Sequence, residues 1–374
     1  AYLASFLPVY TMEGLGLTLT VAGTAVTAHY ITDTSIKTYL GYLLDRFSPR
    51  LITFVGLVIS FAGLLFTFFG TQPWIIIVSS ALFGIGVSPI WIVSLSKVKG
   101  AERATQMGTI YTMWLIGLGA GPVVINFFLD ISLTLSYGLL GGVWLFTILC
   151  VFWIPNEKIS TLPLPPLKKQ WNSLVERLKE MKVLLPGMIL QTTAAGMLVP
   201  ILPSFATKTL GLTYTQYSLI LILGGTSAVL GLIPMGKFSD RGGKKWFLVI
   251  GFALFAICLA SLTFSTNLYS SIAIAILLGV SYSAVLPAWN AILSYQVPEG
   301  QEGLGWGIFS SVEGIGIMIG PIVGGGIGSL YGENVTVWLS AILLGGIALF
   351  YLLLPFHRVI GKRGTYITTG ERGL

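Results

Sequence analysis

Long apolar stretches separated by short polar ones run through almost the whole chain, and this pattern constrains the fold more than any motif does. Only 9% of the 374 residues are charged and 54% are hydrophobic, whereas about a quarter of a soluble globular domain is charged. The composition therefore excludes a soluble domain, a disordered chain and a collagen-like repeat. Cys150 and Cys258 both lie in apolar stretches, which also excludes a disulfide-stapled secreted domain.

A helix needs about 20 apolar residues to cross about 30 Å of hydrocarbon, and eleven stretches of the chain are that long. A further stretch, 1–10, is too short to span and begins with Ala1 instead of Met, so we expect it to be the end of an incomplete first helix. The sequence thus predicts an all-α membrane protein. The predicted full spans are 19–41, 51–70, 73–96, 105–129, 132–154, 183–206, 214–236, 246–266, 268–293, 303–330 and 334–356.

The basic residues predict the orientation, because Lys and Arg accumulate on the cytoplasmic side of a membrane. All but two of the 21 lie in alternate polar segments; the exceptions are Lys37, inside a span, and Lys208. This distribution predicts a cytoplasmic C terminus. The net charge of +7 is therefore a topology signal, and we expect no nucleic-acid partner.

Residues 155–182 divide the spans into two groups of six. We therefore predict an N-terminal bundle at 1–154, a cytoplasmic linker, a C-terminal bundle at 183–356 and a cytoplasmic tail at 357–374. From Leu167 onward, apolar residues recur among charged ones with the spacing of an amphipathic helix on the inner leaflet. We interpret this linker as a tether between the bundles.

The two groups repeat each other in sequence, as expected of transporters built from internal repeats. Three pairs of motifs are offset by 195 residues, and two later pairs by 198 and 199. In chain order the pairs are 6–8 with 201–203, 15–18 with 210–213, 41–46 with 236–241, 89–91 with 287–289, and 121–122 with 320–321. Five motifs that recur in the same order indicate that the six-helix bundle is duplicated.

The third pair of motifs reads Gly-x-x-x-Asp-Arg and is followed by basic residues in both copies. Two six-helix bundles in parallel repeat with this motif resemble the major facilitator superfamily, and the resemblance covers the whole chain. It implies the major facilitator fold and a conformational gate at the motif, although a simple turn with topogenic charges remains the alternative. The gate residues would be Gly41, Asp45, Arg46, Gly236, Asp240 and Arg241.

A finer resemblance lies in blocks within helices two, four, seven and ten. The blocks are His29-Tyr30-Ile31-Thr32-Asp33, Ser88-Pro89-Ile90-Trp91, residues 198–203 with Ala206-Thr207-Lys208, and Leu286-Pro287-Ala288-Trp289-Asn290. They are similar to the lipoteichoic-acid anchor glycolipid flippases of Gram-positive bacteria. This resemblance implies a monomeric plasma-membrane transporter that works by alternating access and moves a diglycosyl-diacylglycerol by proton coupling. A proton-coupled multidrug exporter, with a lipophilic small-molecule substrate, is the alternative.

Helix two carries three ionisable residues on one face, since His29, Asp33 and Lys37 are spaced i, i+4, i+8. Their repeat partners are Gly224, Ala228 and Leu232. A charge inside a bilayer is costly and usually functional, so Asp33 is our candidate for proton coupling. A structural Asp bonded to Thr32 or Thr34 is the alternative.

The roles of the other two residues on this face of helix two, His29 and Lys37, are left open. The resemblance also places the flippases' helix-two acid on Asp33. His29 is either a proton relay or a packing residue. Lys37 lies about one turn from the helix end, where it either contributes to substrate binding or snorkels to the interface.

Glu313 is the only acid inside the C-terminal bundle, and its repeat partner at offset 199 is Trp114. We predict a second proton-coupling group there. The run Gly316-x-x-x-Gly320-Pro321 resembles the superfamily's antiporter motif. Close helix packing is the alternative explanation for these glycines.

Four tryptophans inside spans are candidate substrate contacts, because aromatic rings stack on sugars and tolerate acyl chains. Trp114 and Trp144 lie deep in helices five and six, and Trp289 and Trp306 lie nearer the cytoplasmic end. The resemblance places the flippases' cavity tryptophans on the first two. Packing alone is the alternative for these residues.

The sequence offers no enzyme signature. Ser-His-Asp, Cys-His and metal-ligand clusters are missing, and His357 stands alone in the tail. We therefore expect no metal and no cofactor besides a coupling proton. A non-transporting receptor is a further alternative, but the chain has no stretch suited to a soluble sensing domain.

Overall fold

A computed structural model describes residues 2–17, 19–129, 131–156, 172, 179, 182, 184–202, 205–297 and 301–354. Every regular element among them is a helix, which confirms the all-α prediction. In chain order they are α1 (2–14), α2 (Leu19–Leu44), α3 (Pro49–Phe69), α4 (Pro73–Ser96), α5 (Arg103–Leu129), α6 (Leu133–Cys150), α7 (Leu185–Leu198), α8 (Tyr214–Gly242), α9 (Lys244–Leu262), α10 (Leu268–Gln296), α11 (Glu302–Tyr331) and α12 (Glu333–Leu353).

Eight described helices are long and apolar enough to cross a membrane, so the chain is a multi-pass membrane protein. They are α3, α4, α6 and the five from α8 to α12, and several of them begin or end within a residue or two of the predicted spans. The predicted linker helix from Leu167 and the tail at 357–374 lie outside the described residues.

Contacts divide the chain into two compact units. Unit 1 comprises 1–97, 114–166 and 297–311, and unit 2 comprises 98–113, 167–296 and 312–374. The first part of α5 therefore belongs to unit 2, and the first part of α11 to unit 1. Each contact described below lies inside one unit. The bundle boundaries at 154 and 183 remain a prediction.

The repeat has a structural counterpart at the ends of α1 and of the segment after α7. Residues Tyr10–Gly14 and Phe205–Thr209 are both π-helical, and they are offset by 195. Both segments lead to a glycine with positive φ, +65° at Gly16 and +66° at Gly211. Because only glycine adopts this conformation without steric cost, the turn explains why the motif recurs.

A second repeated feature is the packing of α2 on α4 and of α8 on α10. A Cβ on Gly84 would collide with the His29 carbonyl oxygen, and one on Gly279 would collide with the equivalent oxygen of Gly224. The two glycines therefore let the helix backbones approach closely.

Each of these two helix pairs also has an equivalent interhelical hydrogen bond. The Thr32 hydroxyl donates to the Ala81 carbonyl oxygen at 3.0 Å, and the Ser227 hydroxyl donates to that of Ile276 at 3.0 Å. Both donors and both acceptors are offset by 195. This geometry is the shared scaffold of the two halves.

We predict that Gly84→Ala and Gly279→Ala each destabilise the protein by about 1–3 kcal/mol, because an added methyl group overpacks a close helix contact. Thermal unfolding in detergent measures the effect. Gly117→Ala is the matched control, since its Cβ would meet nothing within 4 Å. Equal stability of all three variants would contradict the close-packing interpretation.

Candidate functional site

Asp33 lies on α2 at the contact with α4, partly buried with 18% of its side chain exposed. One carboxylate oxygen, Oδ1, accepts a hydrogen bond from the Ser88 hydroxyl at 2.6 Å. The other, Oδ2, is 2.7 Å from the Lys37 ammonium. The carboxylate is thus held between a hydroxyl group and a cation in unit 1.

The hydroxyl partner differs from the one considered in the sequence. Thr32 donates to main-chain oxygens, including that of Ala81, so it belongs to the interhelical packing. Ser88, which comes from α4, is the partner that sequence reasoning missed. At the 195-residue offset the corresponding residue is Ser283, whose hydroxyl donates instead to the Val280 carbonyl oxygen of its own helix, at 2.7 Å.

Lys37 does not snorkel toward the end of α2. Its ammonium reaches back one turn to Asp33, and 14% of its side chain is exposed. The physical reason is Coulombic, because an opposite charge one helical turn away stabilises a partly buried ammonium better than a longer reach to water does. The predicted substrate contact of Lys37 remains a prediction.

His29 is buried, with its ring against two aromatic side chains. The ring centroids of Tyr30 and Phe83 lie 5.3 Å and 5.8 Å from that of His29. Within the described part of the chain, the buried Nδ1 atom has no hydrogen-bond partner. These contacts are typical of packing, and the relay role of His29 stays a prediction.

Trp114 and Trp144 have different environments. Trp114 is 45% exposed, and its ring lies 6.0 Å from that of Trp91 on α4. Trp144 instead donates its indole N–H to the Ser60 hydroxyl at 2.8 Å and packs 4.8 Å from Phe83. Trp114 therefore offers a surface for a ligand, whereas the indole N–H of Trp144 is used in packing. Sequence reasoning had not included Trp91 in the site, although the Pro-x-Trp repeat marked it.

Trp289 and Trp306 are almost fully buried, with 1% and 2% exposed. Neighbouring side chains therefore cover both rings in this structure, and the substrate contacts of Trp289 and Trp306 stay predictions. Trp289 donates its indole N–H to Glu313 Oε1 at 2.8 Å. The predicted acid of α11 is thus part of a hydrogen-bonded pair in unit 2.

The glycines of α11 near Glu313 pack against α7. A Cβ on Gly316 or Gly324 would collide with carbonyl oxygens of α7, and one on Gly320 would lie 2.7 Å from that of Thr193. The Thr192 hydroxyl also donates to the Glu313 carbonyl oxygen at 3.0 Å. Close packing accounts for these glycines, so they carry no separate signal for antiport.

The two copies of the Gly-x-x-x-Asp-Arg motif make equivalent contacts. Asp45 accepts hydrogen bonds from the backbone N–H groups of Gly303 and Leu304, at 2.7 and 3.0 Å, at the start of α11. Asp240 accepts from those of Ala104 and Thr105, at 3.1 and 2.9 Å, at the start of α5. Each acid therefore binds a helix N-terminus, where unpaired N–H groups and the helix dipole favour an anion.

The glycine of each motif brings these helices together. A Cβ on Gly41 would collide with the Gly303 carbonyl group, and one on Gly236 would lie 2.6 Å from the Ala104 carbonyl oxygen. This geometry agrees with the close approach expected of both glycines. The gating role of these residues stays a prediction.

The basic residues around the motif have different partners in the two copies. The Arg46 guanidinium lies 3.7 Å from the ring centroid of Tyr42. In the other copy Asp240 forms an ion pair with Lys244 at 3.1 Å, while Arg241 is exposed. The contacts of the motif are thus mainly hydrogen bonds that backbone N–H groups donate to the Asp45 and Asp240 carboxylates.

Both halves of the chain match one protein family. The family model described as Major Facilitator Superfamily matches residues 1–186 and again residues 184–365. The chain belongs to the major facilitator superfamily. It is therefore a transporter-family protein and not an enzyme, and the predicted fold is confirmed.

Two relatives within the superfamily are similar to this chain along almost its whole length. The chain is 33% identical over 356 residues to the "Proton-coupled antiporter flippase LtaA" of Staphylococcus saprophyticus, which covers 94% of this chain and 88% of that protein. It is 32% identical to the protein of the same name from Staphylococcus haemolyticus, covering 93% and 87%. These matches confirm the resemblance to the flippases.

Solved structures support the superfamily fold. The human organic anion transporter MFSD10 (TETRAN) superposes with a TM-score of 0.76 at 14% identity, covering 91% of this chain and 88% of that one. At this identity the likeness concerns the fold alone.

Within the described residues, no group of three or more His, Cys, Asp or Glu could hold a metal ion.

Asp45 gives a pH-dependent prediction. It is fully buried just beyond the end of α2, and burial raises the pKa of its carboxyl to about 7, against the lowering effect of the Leu304 and Gly303 amides. A raised pKa means that the folded protein binds the proton more tightly than the unfolded chain. The stabilisation from this proton is therefore complete below the unfolded pKa and is lost as pH rises through about 7.

We expect Asp45→Asn, which cannot titrate, to remove this part of the pH dependence. The stability difference between wild type and variant should change by about 1 kcal/mol or more between about pH 5 and about pH 8. Thermal unfolding in detergent across that range measures it. A difference that stays constant with pH would show that Asp45 does not titrate there.

Proposed function

We propose that this superfamily member is a proton-coupled flippase, a secondary transporter that moves a glycolipid anchor between leaflets of the plasma membrane by alternating access. The relatives named proton-coupled antiporter flippases support proton-coupled flipping as the reaction class. The glycolipid substrate of this chain is our own inference. The single observation that carries the proposal is Asp33, held by Ser88 and Lys37 on one helix pair but replaced by Ala228 on its structural twin.

The twin shows what the fold itself requires. The α8–α10 pair keeps the glycine contact and the hydroxyl hydrogen bond of α2–α4, yet it has no carboxylate at the Asp33 position. Packing therefore does not need the acid. Since a partly buried charge in a membrane protein is costly, a proton-binding role accounts for its presence.

Three partners compete for the Asp33 carboxylate in this mechanism. When the carboxylate is charged, Lys37 pairs with it, or a sugar hydroxyl group of the substrate donates to it. When a proton binds to a carboxylate oxygen, the ion pair is lost and the acid can no longer accept as a charged group. Proton binding at this carboxylate therefore weakens substrate binding there, and antiport requires competition of this kind.

Trp114 supplies a surface for the glycosyl head group. Its exposed indole, backed by Trp91, presents a flat aromatic face on α5. Such faces stack on sugar rings and also accept acyl chains. We infer that a monomer suffices, with its C terminus in the cytoplasm as the basic residues predict.

The caps made by Asp45 and Asp240 serve as the gate of the transport cycle. Each cap combines two hydrogen bonds from backbone amides with a glycine contact, so it forms or breaks as a unit. Alternating access requires contacts that exist in one state and not in the other. We infer that these two contacts are of this kind.

We predict that Asp33→Asn abolishes acceleration of transport by a pH gradient, with a loss of roughly tenfold or more, because the amide cannot exchange a proton. Liposomes with labelled diglycosyl-diacylglycerol and an imposed gradient provide the assay. Glu333→Gln is the matched control, since it neutralises an acid in the first turn of α12, which belongs to unit 2. It should transport like wild type.

Two results would overturn this proposal. If Asp33→Asn kept the wild-type dependence on the gradient, Asp33 would not be the coupling acid. If wild type transported a labelled lipophilic cation down the same gradient but no glycolipid, the protein would be a drug exporter.

A further inference from the structure

Glu313 lies inside α11, and three other helices of unit 2 contribute to its surroundings. Oε1 accepts the Trp289 indole N–H at 2.8 Å. The ring of Tyr351 on α12 lies 5.9 Å from the Trp289 ring. On the α7 side, Thr192 holds the backbone of Glu313 in place.

The repeat shows that the fold does not require this acid either. Trp91 and Trp114 occupy the equivalent positions in the first half, where they form a ring–ring contact at 6.0 Å. In the second half the first tryptophan is kept as Trp289, while the other ring is replaced by Glu313. A contact between two rings has thus become a hydrogen bond between an indole N–H and a carboxylate.

The chemistry of this pair depends on protonation. An indole N–H is a donor only, so it stabilises the charged carboxylate, which accepts through both oxygens. A protonated acid carries its hydrogen on one oxygen and must turn that oxygen away from Trp289.

We propose that Glu313 is a second proton-binding group of the transport cycle and that Trp289 is its positioning residue, acting through the indole N–H instead of contacting the substrate. This inference rests on the proposed function, because it assigns a further proton site to the same transporter. It replaces the expectation that Trp289 binds substrate through its ring face. Asp33 with Lys37 and Glu313 with Trp289 then form two unlike proton sites, one in each unit.

The test uses Trp289→Phe, which keeps an aromatic ring but removes the N–H donor together with part of the ring volume. Hydrogen bonds to charged groups contribute enough that their loss should move the midpoint of the pH–rate profile to higher pH by about one to two units. Trp338→Phe is the control, since it makes the same change at a tryptophan on α12 that is 40% exposed and has no proposed role. Its profile should stay at the wild-type midpoint.

A second measurement does not depend on transport. Infrared difference spectra of the purified protein across a pH titration report the carbonyl band of a protonated carboxyl group. Wild type should show a band that Glu313→Gln lacks and that Trp289→Phe shows at higher pH. Thermal unfolding of each variant establishes that it is folded.

The outcomes separate this inference from the proposed function. If wild type shows no gradient-driven glycolipid transport, the proposed function fails, while the infrared titration still decides whether Glu313 binds a proton. If Asp33→Asn removes coupling but Glu313→Gln changes neither the pH profile nor the infrared band, only this inference is overturned. Equal midpoints for Trp289→Phe and wild type would remove Trp289 from the positioning role.

Discussion

The close contact between α2 and α4 is the interaction on which the account of this protein depends. Gly84 removes the side chain that would separate the helices, and the Thr32 hydroxyl then bridges them. Only at this separation does Ser88 reach the Asp33 carboxylate at 2.6 Å. The α8–α10 pair repeats the glycine and the hydroxyl bond, so the contact belongs to the scaffold, and the acid is an addition to it.

Each half of the protein adds one acid to this duplicated scaffold, at positions that are not equivalent. Asp33 has a cation one turn away, whereas Glu313 accepts from an indole N–H. Lys37 offers a full positive charge, whereas the Trp289 indole offers a single neutral N–H donor. The two acids of the proposed mechanism therefore differ in the partner that each carboxylate gives up when it binds a proton.

The sequence predicted the helices and the repeat well, because both depend on patterns that are local or regularly offset. The apolar stretches marked most helix ends closely, and the 195-residue offset by itself pairs Asp33 with Ala228. The same comparison identified Glu313 against Trp114. Family matches to both halves of the chain agree with the duplication.

Side-chain partners across helices were predicted poorly. Ser88 as partner of Asp33, and Trp289 as partner of Glu313, depend on the rotation of one helix against another, which apolar periodicity does not specify. The caps made by Asp45 and Asp240 were missed for a related reason, since their carboxylates accept from backbone amides, which carry no residue-type signal. The burial of Trp306 likewise follows from packing that a single span does not reveal.

Proton release on substrate binding tests the central claim, that an acid present on one helix pair exchanges its proton for substrate. Purified protein in weakly buffered detergent is mixed with diglycosyl-diacylglycerol, and the pH change is recorded with an indicator dye. The account predicts that wild type releases protons when the glycolipid binds and that Asp33→Asn releases fewer. Binding of the glycolipid to wild type with no release or uptake of protons over the whole working pH range would contradict it.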